Sequence, residues 1–504
     1  MRNINDLPVE VLENIFIFLP FRQLKLASIV CSLWHRTIFS RANLQNVVLV
    51  LMTHKIVNLP ITKIETSERS YRSARLIFDN LEVDRQLVLY FLKILQKFSN
   101  SLERLEVSWK IYDKPLDLII LEEISKSIPQ LKQLTVFDQE TSGCDIDPNE
   151  LLGIAPMKFL EKVRLPRIVM DASGFNLVQF APNVKNINVV FGKKHPWDAI
   201  GALREQLVTV CIKTETTANF GHFWSIKPPK LQKLRLIRHH CDLVEPNDVE
   251  VDSVRAFFLF CPVLTVLKLD LRVPLEVLQV IVDSCPQLES LLLCSIDGGW
   301  QVLSILSNLK YLQNLSMIAA TFHPYESTKL ISPLPALRHL TLCASDFLDV
   351  SQFFVQLNLT VPILSTLQLI HYSQICDEEL NIRTLESLFL SKMPMLKKLV
   401  LFDFCCVFPS HLVNQLNLFP RLNELWLTSK GLSPHFESAL VPGVRRLAVD
   451  APINQFLLRS LLEVFPSLTR LDVCEECDCL DEQSLRCELN FCEKRSLLED
   501  RVQL

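Results

Sequence analysis

The chain has 504 residues, and its 52 basic and 56 acidic side chains nearly cancel to a net charge of −4, so global charge favours neither nucleic acid nor an anionic membrane. Only 10 glycines argue against Gly-rich phosphate loops and hairpin-rich β folds, and 16 cysteines scattered in contexts such as Cys261-Pro262 and Cys285-Pro286 read as reduced, buried thiols of a cytoplasmic or nuclear protein. The opening apolar run is interrupted by Asp6, Glu10 and Glu13, unlike a secretory signal, and no uncharged apolar run reaches the roughly 18–20 residues that span a bilayer.

Residues 1–45 read as a three-helix head. Asp6 is expected to cap a first helix, with Pro8 in its first turn, and Pro20 to end it. Val11, Leu12, Ile15, Phe16, Phe18 and Leu19 follow helical spacing, but their arc is too wide for one buried face. A second short helix carries Leu24, Leu26, Ala27 and Val30, and a third carries Leu33, Trp34, Ile38 and Phe39. So small a head cannot hide all these side chains, and an exposed apolar patch marks a partner site.

The pattern Leu7-Pro8-x-Glu10-x-Leu12-x-x-Ile15-Phe16-x-x-Leu19-Pro20, followed by Leu24, Leu26-Ala27 and Val30-Cys31-x-x-Trp34, resembles the F-box. Gln23 departs from it, standing where the family often has Asp. The resemblance implies docking on the Skp adaptor of cullin-RING ubiquitin ligases. Leu7, Pro8, Ile15, Leu19, Leu24, Val30 and Trp34 are then the adaptor-facing candidates. Leu12, Phe16, Leu26, Ala27 and, as an alternative role, Trp34 are expected to fill the core.

Residues 46–101 contain strand-like Val47–Leu51 and Ala74–Phe78 and helix-like Arg85–Phe98, joined by a loop from Met52 to Tyr71. They read as degenerate repeats that cap the array, or as a small linker domain.

From 102 to 473 one phrase recurs, Leu-x-x-Leu-x-Leu with Val, Ile or Met allowed. It starts at Leu102, Leu131, Leu160, Val184, Leu207, Leu231, Leu264, Leu288, Leu312, Leu337, Leu364, Leu396, Leu422, Val444 and Leu468, at intervals of 22 to 33 residues. The end of each phrase alternates like a half-buried strand. Helix-like stretches lie between, such as Val277–Val282, Gln301–Leu306, Ile382–Leu390 and Phe456–Val464, and a Pro often stops them, as in Phe419-Pro420 and Phe465-Pro466.

This text resembles a leucine-rich repeat, in which no unit can bury its leucines until a neighbour covers them. The fold implied is an α/β solenoid: the three-helix head followed by an irregular horseshoe, with parallel strands inside and helices outside. The family often has Asn or Cys three residues after the last Leu. Here Arg272, Ile296, Ser345, Tyr372 and Lys430 stand there, hence the irregularity.

In such a fold the non-Leu positions of each phrase face the cavity or its rim. Across the phrases these are basic at Arg104, Lys132, Lys162, Arg164, Lys185, Lys233, Arg235, Lys268, Arg338, Lys397, Lys398, Arg445, Arg446 and Arg470. They are acidic only at Glu103, Glu106, Glu161, Glu289, Glu424 and Asp472. The local excess of cations, above all Arg235, Lys268, Arg338, Lys397, Lys398, Arg445 and Arg446, suits an acidic or phosphorylated target segment. Alternatively these cations are solvated or paired on the same face. Trp426, between Val400 and Ala448 in one column, is either an anchor for the target or packs on its neighbours.

The tail, 474–504, carries Cys474, Cys477, Cys479, Cys487 and Cys492. Four thiolates at such spacings raise a zinc question, but the ladder is irregular and no His follows Cys479. The plainer reading is a C-terminal cap with a helix starting at Asp481 and bearing Leu485, Leu489 and Cys492. No catalytic motif stands out: Cys405-Cys406 has no evident partner His, and His239-His240 has no nearby ligands.

Neither a cofactor nor catalysis by the chain itself is expected. The function implied by the two resemblances is a substrate receptor of an SCF-type (Skp–cullin–F-box) ubiquitin ligase, in which the array holds a protein target. The alternative is a non-degradative scaffold anchored through the same head. A nucleic-acid binder is the weakest reading, since the face lacks interleaved aromatics.

Overall fold

The computed structural model describes residues 4–39, 47–52, 70–78, 85–109, 116–138, 154–166, 169–170, 175–191, 197–214, 221–238, 251–294, 299–318, 333–344, 361–371, 385–386, 388, 393–404, 410–429, 440–449 and 455–473. The chain divides into two compact units, Met1–Ala218 and Asn219–Leu504.

The first unit opens with a 3-10 turn at Ile4–Asp6 and helices α1 (Val9–Ile17), α2 (Phe21–Ala27) and α3 (Ser32–Ile38). Asp6 does not cap α1. It ends the 3-10 turn, and Pro8 takes the cap position in extended backbone (φ −54°, ψ 148°), its carbonyl accepting the Val11 and Leu12 amides at 3.0 and 3.1 Å. Pro20 repeats the device for α2 (φ −58°, ψ 151°), accepting the Gln23 and Leu24 amides at 2.9 and 3.0 Å. Proline suits both places because its φ is already set and the amide it lacks would have no intrahelical partner. Cys31 caps α3, its Sγ accepting the Trp34 amide at 3.5 Å.

Leu12, Phe16, Leu24 and Ile38 form the head's buried core, with Leu19, Ala27, Leu33, Trp34 and Phe39 packed against it. Two expectations exchange places here. Leu24, expected on the docking face, is 8% exposed, and Leu26, expected inside, is 64% exposed. Two residues apart on a helix is roughly 200° of rotation, so only one of the pair can face the core, and Leu24 shares its face with Ala27.

Seven strands follow among the described residues of this unit: β1 (Val48–Met52), β2 (Ser73–Phe78), β3 (Arg104–Trp109), β4 (Gln133–Asp138), β5 (Lys162–Leu165), β6 (Asn186–Phe191) and β7 (Thr209–Thr214). Each pairs in parallel with the next. Residues 47–52 and 70–78 thus join the same sheet as β3. Between the strands lie α4 (Arg85–Gln96), α5 (Leu116–Ser127), α6 (Leu177–Phe180) and α7 (Trp197–Ala202).

Among the described residues the second unit has ten strands: β8 (Lys233–Arg238), β9 (Val266–Arg272), β10 (Ser290–Cys294), β11 (Asn314–Ile318), β12 (His339–Ala344), β13 (Thr366–His371), β14 (Lys398–Phe404), β15 (Glu424–Ser429), β16 (Arg446–Val449) and β17 (Arg470–Val473). They too pair in parallel and in sequence, with register slips only near Cys294 and Phe404 among the described residues. The helices are α8 (Gly221–Trp224), α9 (Val251–Leu259), α10 (Leu275–Ser284), α11 (Gly299–Leu306), α12 (Ser410–Gln415) and α13 (Gln455–Val464). Every one of the fifteen Leu phrases supplies a strand, β3 to β17.

One hydrogen-bond scheme recurs through most of the repeats. A turn closes when the amide of the first Leu donates to the carbonyl three residues earlier, as Leu264 to Cys261 (3.1 Å), Leu422 to Phe419 (3.0 Å) and Leu468 to Phe465 (3.0 Å). Pro262, Pro420 and Pro466 take the second position of that turn, where a fixed φ helps. The two amides after the first Leu then donate to a single carbonyl of the preceding repeat. Lys132 and Gln133 bond Glu103 at 2.9 Å each, and Lys397 and Lys398 bond Ser365 at 2.8 and 3.0 Å. The ladder thus starts before the strand does and locks its register. The second and third leucine positions then point to one side and are buried, as Leu134 with Val136 and Leu425 with Leu427.

Turn residues also link repeats. Cys261 donates its thiol to the Pro228 carbonyl and Cys285 to the Cys261 carbonyl, each at 3.6 Å. Burial pushes both thiols up, Cys285 to about 12; Cys261 rises further, with Cys285 as a second cause. They stay protonated and inert at neutral pH, in keeping with thiols used for packing.

The tail from Cys474, Ile296, Ser345, Tyr372, Lys430, Cys405-Cys406, His239-His240 and most of Ile382–Leu390 lie outside the described residues. No helix among the described residues is long and apolar enough to cross a membrane.

Candidate docking surfaces

Helix α1 and the turn that ends it carry two apolar stripes. Leu12, Phe16 and Leu19 turn inward, while Val11, Ile15 and Phe18, at the same i, i+4, i+7 spacing, stay exposed. Leu7 and Pro8 are exposed at the helix start. Leu26, Ile29 and Val30 are exposed at the end of α2 and in the turn after it. Phe18 is 84% and Ile29 80% exposed, although burying such a side chain is worth about 1.5–3 kcal/mol. Neither was among the expected docking residues. The second i, i+4, i+7 stripe was the available signal for Phe18.

Of the expected adaptor-facing residues, Leu7, Pro8, Ile15 and Val30 lie at the surface, Leu19 is half-buried and Leu24 is in the core. Trp34 is half-buried and tied down. Its ring meets Phe16 edge-on at 5.2 Å, and its Nε1 donates to Asn5 Oδ1 at 2.8 Å. That bond ties the 3-10 turn, next to Leu7-Pro8, to α3.

The second candidate surface is the open side of the repeats, where three positions of each phrase line up in columns. The inner column of the second unit holds Val400, Trp426 and Ala448, directly opposed on β14, β15 and β16. Together they form a small buried cluster, and Trp426 is 9% exposed. Lys398 Nζ lies 4.1 Å and the Arg446 guanidinium 5.3 Å from the Trp426 ring centre. The same cations are held by acids, Lys398 by Glu424 (3.4 Å) and Arg446 by Asp472 (3.1 Å), and Asp472 also binds Arg470 (3.0 Å). Trp426 is thus roofed by cations of its own chain, which cation–π attraction favours.

The outer column lies just before the strands and includes Arg338, Lys397 and Arg445, all exposed. Their side chains make no ion pair or hydrogen bond among the described residues. Arg235 and Lys268 oppose each other on β8 and β9, apart from the β12–β16 group. His339, beside Arg338, takes up a proton less readily than usual, first because it is partly desolvated and then because Arg338 and Lys398 are close.

Residues 4–47 match the family model for F-box-like domains. The match covers the three helices and the turn before them. No curated protein matches the chain.

Proposed function

We propose that the chain is the substrate-recognition subunit of an SCF-type ubiquitin ligase. The F-box-like head would dock on a Skp-type adaptor, and the leucine-rich-repeat-like array would hold a client protein beside a ubiquitin-charged enzyme. The supporting observation is that residues 4–47 match the F-box-like model and expose a stripe of large apolar side chains. F-box domains generally bind Skp-type adaptors, and proteins that carry them are typically non-catalytic. The chain's contribution is proximity, which turns a bimolecular transfer into an effectively intramolecular one.

The test is capture of purified Skp-type adaptor by the full chain. Ile15→Asp and Phe18→Asp should abolish capture while leaving the thermal transition of the array in place, because both side chains are already exposed. Undiminished capture by these variants would overturn the reading. A client whose half-life lengthens when the chain is removed supports the ligase role. Adaptor capture without any change in bound-protein turnover supports the non-degradative scaffold instead.

A further inference from the structure

The outer column differs between the two units. In the first it alternates in sign through successive repeats: Arg72, Glu103, Lys132, Glu161, Lys185. The charges pair from repeat to repeat, Arg72–Glu103 at 4.0 Å, Lys132–Glu103 at 3.3 Å and Lys185–Glu161 at 3.0 Å. One Glu serves the cations on both sides of it. From just before β12 to just before β16 of the second unit the same column reads Arg338, Ser365, Lys397, Asn423, Arg445. The backbone bonds that step along it are the same: Ser365 to Arg338, Lys397 to Ser365, Asn423 to Lys397 and Arg445 to Asn423, at 2.8 to 2.9 Å. The cations keep their alternate places, but a hydroxyl and an amide stand where the carboxylates were. The Ser365 hydroxyl turns back to the Arg338 carbonyl at 3.0 Å and neutralises nothing.

We infer that this column is completed by the client: an acidic segment laid across β12 to β16 places one carboxylate over Ser365, between Arg338 and Lys397, and a second over Asn423, between Lys397 and Arg445. The inference rests on the array being the client-binding surface and names the chemistry it takes. Neighbouring strands are about 4.8 Å apart, so the two carboxylate places are about 10 Å apart. A polyproline-II segment rises about 3.1 Å per residue and repeats its face every third residue, so acidic residues three positions apart present themselves at about 9 Å. The local positive field is already felt by His339.

The experiment measures fluorescence anisotropy of short labelled peptides with the full chain. One peptide carries two Glu three positions apart in a Pro/Ala/Gln background, and a second has both Glu replaced by Gln. The Glu peptide is expected to bind at least about tenfold more tightly than the Gln peptide, with affinity falling as salt rises. The S365E/N423E variant rebuilds the self-neutralised column without touching a cation and should lose that preference. Lys397→Gln, which removes the cation shared by both carboxylates, should do the same, and melting curves establish that both variants are folded.

Equal binding of the two peptides, or an undiminished preference in S365E/N423E, overturns the inference. So does a single-stranded RNA of similar length that binds more tightly than the Glu peptide. Adaptor capture, scored on the same preparations, should be retained throughout. Its loss would count against the ligase reading, and its retention beside failed peptide binding would count against this inference alone.

Discussion

The two units use one backbone plan and opposite electrostatics. In the first, each outer cation has its carboxylate one repeat away, at 3.0 to 4.0 Å. Across β12 to β16 of the second, the same positions hold Arg338, Lys397 and Arg445 separated by neutral residues. Near that stretch the acids lie further inward, Glu424 one column in and Asp472 two, where they hold Lys398 and Arg446, the cations over Trp426. Since the hydrogen-bond ladder and buried leucines are alike in both, these charges are not needed to build a repeat. What differs is the charge each unit leaves unneutralised on that column.

The most drastic way to test that likeness is in the interior. Leu134 in β4 and Leu425 in β15 occupy the same phrase position and are both fully buried. Replacing either by Ala should cost about 2–5 kcal/mol in urea unfolding. A near-neutral result at one of them would show that the two units are not equivalent inside.

A smaller effect is expected at the turns. The position three residues before the first Leu is apolar in both units, as at Ile128, Met157 and Ala181 in the first and Leu309, Val361 and Phe419 in the second, and two repeats of the second have a thiol there, Cys261 and Cys285. Removing the thiol donor with Cys261→Ala or Cys285→Ala should cost about 1 kcal/mol. Because both folded thiols titrate above the ordinary 9.0, their contribution is fully present below about 9 and lost progressively as pH rises from there toward the folded value, about 12 for Cys285. Stability measured against pH should therefore fall less steeply on the alkaline side in the double Ala variant.

The surface zipper should matter less still to stability, and this is where the comparison can be inverted. Glu103→Gln with Glu161→Gln opens the column of the first unit and should cost at most about 1 kcal/mol, because the pairs are partly exposed. The variant should gain affinity for the Glu peptide. A variant that binds it no better than wild type would show that an open column is insufficient.

The smallest effect is at His339. Its proton affinity is lowered on folding, so the unfolded chain binds more protons as pH falls through about 6.5, and some stability is lost on acidification. His339→Gln should flatten that slope between pH 7.5 and 5.5 in melting experiments, and S365E should do so partly by offsetting the Arg338 field.

Much of this molecule is legible in its sequence. The recurrence of Leu-x-x-Leu-x-Leu located fifteen strands, because alternate burial is a local property of a strand and needs no knowledge of its neighbours. The prolines marked the turns for the same reason: a fixed φ acts on the residue that carries it. The helical head was equally readable from Leu7 to Trp34, including an excess of apolar side chains over the interior available. Tertiary structure alone decided that Leu24 goes in and Leu26 out, since a seven-residue helix offers several apolar faces and only its neighbours select one. It also decided which cations are spent. Lys132 and Glu103 are 29 residues apart and Arg446 and Asp472 26 apart, so a count along the chain lumps them together. Register between parallel strands brings such partners within hydrogen-bond reach, and that register is a property of the stacked repeats rather than of any one of them.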